Sequence, residues 1–200
     1  MRVFVFAATF MLGSLAYGQQ HSISPASSKL TWEGSKVVGG GHQGSLKIKE
    51  GFIKFKEKQP LEAQVLVDMT SITNSDLKDP KWNQKLVGHL HSDDFFSTAK
   101  YPESKIVLTD FSKQKNGQYK VKGKLTIKGI TKPVELQGKM IEKAGSVSAL
   151  TASLEFDRTE FNVRYGSGKF FENLGDKMIA DVVKVQVELK LEKPIKTASN

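Results

Sequence analysis

Two stretches of ten residues, Tyr119–Lys128 and Val182–Leu191, alternate apolar and polar side chains almost from end to end. In the first, Tyr119, Val121, Gly123, Leu125 and Ile127 fall on one side, and Lys120, Lys122, Lys124, Thr126 and Lys128 on the other. In the second, Val183, Val185, Val187, Leu189 and Leu191 oppose Lys184, Gln186, Glu188 and Lys190. A period of two marks a β-strand with one dry and one wet face. Antiparallel strands of this kind must hide the dry face. Closing the sheet on itself hides it in an interior that side chains can fill or a ligand can occupy.

The pattern recurs along the chain. Lys29–Val37 predicts a strand with Leu30, Trp32 and Gly34 inward, followed by a turn at Gly39–Gly41. Gly44–Ile48 and Phe52–Lys56 read as one strand bulged at Gly51, and Leu61–Met69 as the next, with Ala63, Val65, Val67 and Met69 on one face. Thr70–Pro80 is polar and turn-rich. Lys81–Leu90 is the best helical candidate, because Trp82, Leu86 and Leu90 recur at four-residue spacing. Strands resume at Ser104–Phe111, and Asn116-Gly117 predicts a hairpin into Tyr119–Lys128. Gly129 turns the chain into Lys132–Glu142, and Gly145 into Val147–Arg158, where Leu150, Ala152, Leu154, Phe156 and Arg158 share a face. Thr159–Lys177 reads as loop with a helical turn, Val182–Glu192 as the last strand, and Pro194–Asn200 as a frayed tail. The sum is an all-β domain: an eight-stranded antiparallel β-barrel with one or two short helices. An outer-membrane barrel shares the period with opposite polarity. The lysine-dense polar faces, the short turns and the intervening amphipathic helix argue against it.

The first eighteen residues have the form of an export signal. Met1-Arg2 supplies the charge, Val3–Leu15 the apolar run, and Ala16-Tyr17-Gly18 a small-x-small cleavage site. The expected mature domain is 19–200, in the periplasm or secreted. The apolar run is shorter than the roughly 20 residues a bilayer-spanning helix requires. The chain has no cysteine, which excludes disulfides, thiolate metal sites and a cysteine nucleophile. An unstapled exported domain needs a real hydrophobic core. Formal net charge is +9, and removal of Arg2 leaves 29 basic against 21 acidic side chains. Lysines on wet strand faces solvate the surface and block edge pairing. They also favour transient contact with an anionic membrane surface. The near absence of arginine and of interleaved aromatics argues against nucleic acid.

The register leaves room inside. Gly123, Gly138 and Ala152 fall on dry faces, and most other inward positions are Val or Leu rather than large aromatics. A narrow apolar cavity suits an aliphatic chain, each buried methylene contributing about 0.8 kcal/mol before ordering costs.

Five segments then carry a resemblance: Gly41-His42-Gln43-Gly44; Leu90-His91-Ser92-Asp93-Asp94-Phe95-Phe96; Tyr101-Pro102; Gly123-Lys124-Leu125-Thr126-Ile127-Lys128-Gly129-Ile130-Thr131-Lys132-Pro133; and Asp157-Arg158-Thr159. In this order and spacing the set resembles the YceI-like family of lipid- and polyisoprenoid-binding proteins. The resemblance implies a lipocalin-like barrel whose tunnel holds an isoprenoid chain or another long amphiphile, and a binding protein rather than an enzyme. Arg158–Asp176 looks like a variant of one branch, and Thr73–Trp82 departs from the common pattern.

Arg158 continues the inward register of Leu154 and Phe156, so it needs a partner. Either an internal carboxylate, Asp94 or Asp181, or the polar head of a bound lipid meets that need. His42 stabilises a turn or bonds a head group. His89 and His91 with Asp93 and Asp94 lack the third recognisably spaced histidine of a metal site, and Ser92 with the aspartates reads as helix capping. Of the adjacent Phe95 and Phe96, one is expected to plug the barrel end and the other to pack the helix, and either can touch a lipid; Phe161, Tyr165, Phe170 and Phe171 form an apolar lid or a satellite cluster. The full set expected to hold ligand is Trp32, Val65, Val67, Phe95, Phe96, Leu108, Gly123, Leu125, Leu154, Phe156, Arg158, Phe161, Val185, Val187 and Leu189, and replacing Gly123 with Leu is expected to block the tunnel in a folded barrel. No cofactor and no metal is expected, and the partners are a long-chain lipid or isoprenoid, a membrane surface in passing and a homodimer. The rivals are a packed structural barrel without ligand and an enzyme acting on a small lipophile.

Overall fold

Every alternating run of the sequence is a strand in the computed structural model, which describes residues 19–196. The export signal expected at Met1–Gly18 lies outside the described residues. Nine strands follow one another: β1 Gln19–Ser22, β2 Lys29–Lys36, β3 Gly41–Lys56, β4 Gln59–Asp68, β5 Glu103–Lys113, β6 Tyr119–Ile127, β7 Ile130–Lys143, β8 Ser146–Asp157 and β9 Ile179–Lys196. One α-helix, α1 Pro80–His91, falls between β4 and β5. The strands pair antiparallel in the order β3-β2-β9-β8-β7-β6-β5-β4, and β4 pairs back onto β3. The sheet is therefore a closed eight-lane barrel.

β1 and β2 share one lane. β2 pairs with the near half of β3, from Leu30↔Leu46 to Ser35↔Gly41, and β1 with its far half, from Gln19↔Phe55 to Ser22↔Phe52. β1 is absent from the sequence reading because Gln19–Ser22 has no apolar alternation; it is a strand by pairing alone. The end of β9 corrects the frayed tail, since Val147 and Ser146 pair with Ile195 and Lys196. The β3 bulge lies at Lys49, where the register on β4 shifts between Ile48 and Glu50, two residues before the glycine expected to carry it. Gly51 serves close approach instead: a Cβ there would lie 2.9 Å from the Gln64 carbonyl and the Ile23 side chain.

Two hairpins turn on residue pairs with positive φ, Lys128-Gly129 (50° and 74°) and Ala144-Gly145 (50° and 71°). That geometry matches the twist of the flanking strands. Asp79 caps α1 by accepting from the Lys81 and Trp82 amides, and Ser92 closes it by donating from Oγ to the His89 carbonyl (2.8 Å). The expected apolar face of the helix is only partly docked. Leu90 is buried and Leu86 half-buried, whereas Trp82 is 55% exposed beneath the Lys85 ammonium.

Strand directions give the barrel two distinct ends. At one lie the short turns β3–β4, β5–β6 and β7–β8; at the other, the long segments 69–102 and 158–178. Ile23, Ile53, Phe55, Val147 and Leu191 pack together at the short-turn end, with Tyr119 and Val121 beside them. A smaller cluster of Ile72, Leu90, Phe95 and Val163 lies under the long segments.

Candidate functional site

Between the packed floor and the cap of long segments the barrel is hollow. The cavity measures about 190 Å³ of space open to the centre of a water-sized sphere. Its walls come from nearly every lane: Trp32 on β2, Val65 and Val67 on β4, Leu108 on β5, Leu125 on β6, Leu154 and Phe156 on β8, and Val185, Val187 and Leu189 on β9. Phe95 and Phe96 join Ile72, Leu90 and Val163 in the ceiling. The hollow has a direct cause in side-chain length. A barrel of eight lanes has a nearly fixed bore, and Val and Ala at inward positions stop short of its axis. At the floor, Phe55 (1% exposed), Ile53 (1%) and Tyr119 (6%) fill that space. Polar residues are scarce on the wall: among the described residues Trp32, Ser104 and Arg158 line it, with Lys105 exposed on the outer face of β5.

Arg158 begins the single helical turn after β8 and is 2% exposed. Its Nε donates to the Ala180 carbonyl (3.0 Å), Nη1 to those of Val163 (2.8 Å) and Tyr165 (2.9 Å), and Nη2 to that of Ile179 (3.1 Å). Asp181 stands 3.6 Å from Nη2. Burial pushes the guanidinium pKa below its ordinary value, with Asp181 and Asp157 opposing that shift. Of the three partners weighed for Arg158, the structure places Asp181 beside it, while Asp94 sits with His89 (3.1 Å). Arg158 therefore ties segment 158–166 to the start of β9, and its donors are spent on protein.

Lys128, in the β6–β7 turn, ties down the other side of the cap. Its Nζ donates to the carbonyls of Phe95 (2.7 Å), Asn162 (3.2 Å) and Asp93 (3.3 Å). Burial lowers its pKa, partly offset by Asp93 and Asp94. One ammonium thus joins both long segments, and this explains a lysine between Ile127 and Gly129. A third clasp holds segment 73–76 to β3. His42 Nδ1 lies 2.8 Å from Asp76 Oδ2, and the Gln43 amide donates to Asp76 Oδ1 (2.9 Å). Burial alone would raise the Asp76 pKa. The bonds from Gln43, His42 and Asn74 outweigh it and hold the carboxyl at about 2.

The structure brings thirteen of the fifteen residues expected to meet ligand onto the cavity wall and leaves two off it. Gly123 faces the strand next door, not open space. A Cβ there would lie 2.1 Å from the Val107 carbonyl oxygen and 2.8 Å from Leu108 Cα, where β5 bulges between Leu108 and Asp110. Gly123 lets two backbones approach, so a leucine there breaks the wall rather than blocking a tunnel. Phe161 is 1% exposed and packs edge-on against Phe156 (ring centroids 5.5 Å), behind the wall. Of the remaining aromatics in the segment, Tyr165 packs on His89 and Phe95 with one side and is exposed on the other, and Phe170 and Phe171 are exposed as well. Sequence reasoning also passed over wall residues. Leu30, Ile106 and Ile127 share faces already recognised as dry, so register alone finds them; Ile72 and Val163 lie in segments without a period, and no pattern marks them.

The comparisons with known proteins agree with this architecture. The model of the YceI-like domain matches residues 21–191. The chain belongs to the YceI-like family. Protein YceI of Escherichia coli O157:H7 is 31% identical over 133 residues, 62% of this chain and 65% of that protein. A UPF0312 protein of Shewanella denitrificans is 30% identical over 101 residues, 48% of this chain and 53% of that protein. The chain thus spans between about half and two thirds of the curated relatives it matches. Among solved structures, Burkholderia cenocepacia BcnA superposes with a TM-score of 0.65 at 24% identity, covering 84% of this chain and 98% of BcnA. A polyisoprenoid binding domain from Saccharophagus degradans, implicated in plant cell wall breakdown, gives 0.59 at 17% identity, covering 90% and 99%. At these identities the likeness is one of fold, the YceI-like barrel described above.

Proposed function

We propose that this YceI-like chain is an exported, non-enzymatic carrier that holds a long apolar chain molecule, isoprenoid-like in shape, in the hollow half of its barrel. The observation that carries the reading is the apolar bore of about 190 Å³ above a filled floor. Sequestration then needs no reaction: strand interiors replace water around the chain, at about 0.8 kcal/mol per methylene before ordering costs. The floor makes the bore a blind pocket, so the tail enters first and the head stays under the cap. The likeness of the barrel to the polyisoprenoid binding domain of Saccharophagus degradans supports the same class of guest. The form of Met1–Gly18 supports delivery to the periplasm or beyond.

Loading from a membrane fits the cap. Val37 and Val38 are each 59% exposed beside Lys36, and Phe170 and Phe171 are exposed beside Lys169. The Val37 amide donates to the Met178 carbonyl (2.9 Å), which brings the β2–β3 turn against the same segment. Exposed apolar tips among lysines suit brief contact with anionic lipid. The barrel has no long free edge among the described residues, so a homodimer would join through a face.

The test is native purification followed by lipid extraction and mass identification. A co-purifying prenyl-type or long-chain lipid, released chemically unchanged, is the expected result. A protein that travels empty and takes up no polyprenyl ligand on incubation overturns the reading.

A further inference from the structure

Gly34 is the one glycine on the cavity wall, among the described residues. It is the last of the three wall residues of β2, after Leu30 and Trp32, and it pairs with His42 of β3 and Val183 of β9. Two ordinary reasons for a glycine in a strand do not apply to it. Its φ is not positive, so the backbone accepts a side chain. No neighbour presses on it either. A Cβ there would meet nothing within 4 Å, whereas at Gly44, Gly51 and Gly123 it would lie 2.9 Å or less from a backbone carbonyl oxygen. Glycine weakens a strand and packs nothing. What it leaves at position 34 is open space on the inward face, at the rim of the bore.

The neighbouring lane widens the same place. Between Gly34↔Val183 and Lys36↔Ile179 the register shifts, so that three residues of β9 (180–182) stand against the single Ser35 of β2. Ile179 and Ala180 line the cavity there, and their carbonyls turn to Arg158 (3.1 and 3.0 Å). The exposed Val37 and Val38 follow two and three residues after Ser35. The rest of the rim is roofed by Ile72, Leu90, Phe95 and Val163. Lys128 and Arg158 fasten both long segments of that roof through bonds to Asp93, Phe95, Asn162, Val163 and Tyr165. A guest that lifted the roof would have to break these bonds; one that passed beside Gly34 would break none of them.

We propose that Gly34 is the doorway residue of the bore: the guest enters and leaves beside it, under the roof rather than through it, and the side chain at position 34 sets how fast it passes. This rests on the carrier reading above. The full mature chain is loaded with geranylgeraniol and chased with an excess of the deuterated alcohol, and the mass shift of the complex is followed in time by native mass spectrometry. A chain squeezing past an added side chain is overpacked in transit, which slows exchange about threefold for Gly34→Val and about tenfold or more for Gly34→Phe. Uptake slows in step with release, so affinity changes far less than either rate, a signature that a merely structural role does not produce. Glu33→Phe adds the same ring on the exposed outer face of the same strand and exchanges as the wild type does. Thermal melting of each variant checks the fold, and Gly34→Val carries the test if the phenylalanine is not tolerated. The assignment is overturned by a folded Gly34 variant that exchanges at the wild-type rate, or by one that takes up the alcohol as fast and only releases it faster, which would make position 34 part of the seat. Refusal of geranylgeraniol by the wild type overturns the carrier reading itself, and that failure is seen before any variant is compared.

Discussion

The floor and the upper bore of this barrel are made from the same strands and differ in what those strands point inward. β6 supplies Tyr119 and Val121 to the floor and Leu125 and Ile127 to the wall; β9 supplies Leu191 below and Val185 and Val187 above. Alternation sets the closed sheet in both halves. Side-chain volume then decides that one half is solid and the other hollow. Stability should therefore depend on the floor and ligand capacity on the bore, and each half can be altered without the other.

The largest expected effect is at the floor. Phe55→Ala removes a ring packed on all sides and should cost about 4 kcal/mol. Val187→Ala, on a wall that already faces open space, forfeits fewer contacts and should cost about 1 kcal/mol. Denaturant unfolding of the two variants checks the contrast, and equal losses would erase the distinction between the halves. Next comes Arg158→Met, which strands four carbonyls and Asp181 under the cap and should cost about 3 kcal/mol. Hydrogen exchange should quicken in 158–181 and stay slow in the floor strands. If the floor loosens equally, the cap is not a separate unit.

A smaller effect is expected of Lys128→Met. Losing three bonds to two segments should cost about 1–2 kcal/mol and speed exchange in 92–98 and 158–163 together. Loosening of one segment alone would show that the lysine does not couple them. The smallest effect is tied to pH. The Asp76 carboxyl is held at about 2 in the folded chain, against an ordinary value of 3.8. Its clasp thus contributes fully above pH 3.8 and is lost as pH falls through about 2. The stability gap between wild type and Asp76→Asn should be constant from neutral pH down to about 5 and close towards pH 2. A gap unchanged at pH 2 would contradict it.

The walls were readable from sequence because inwardness in a strand needs only period and register. Val65, Leu125, Leu154 and Val187 could be named without knowing what lies across the barrel. Other features depend on contacts between distant parts of the chain. Gly123 looked like room for a guest, yet it answers a bulge on β5 that no local pattern reveals. β1 is a strand only because β3 is long enough to pair twice. Trp82 fits a helical spacing, but only the far end of α1 reaches the cap cluster. The partner of Arg158 was open between protein and lipid, and the fold brings four carbonyls to it by returning segment 158–181 on itself.

The most direct measurement concerns Ala152, a small residue on the bore wall paired with Val187. Ala152→Phe fills the hollow from within. We expect a barrel whose melting temperature stays within about 3 °C of the wild type and which no longer takes up geranylgeraniol in native mass spectrometry. A variant equally folded that loads the lipid as the wild type does would contradict the claim that this space is where a guest is held.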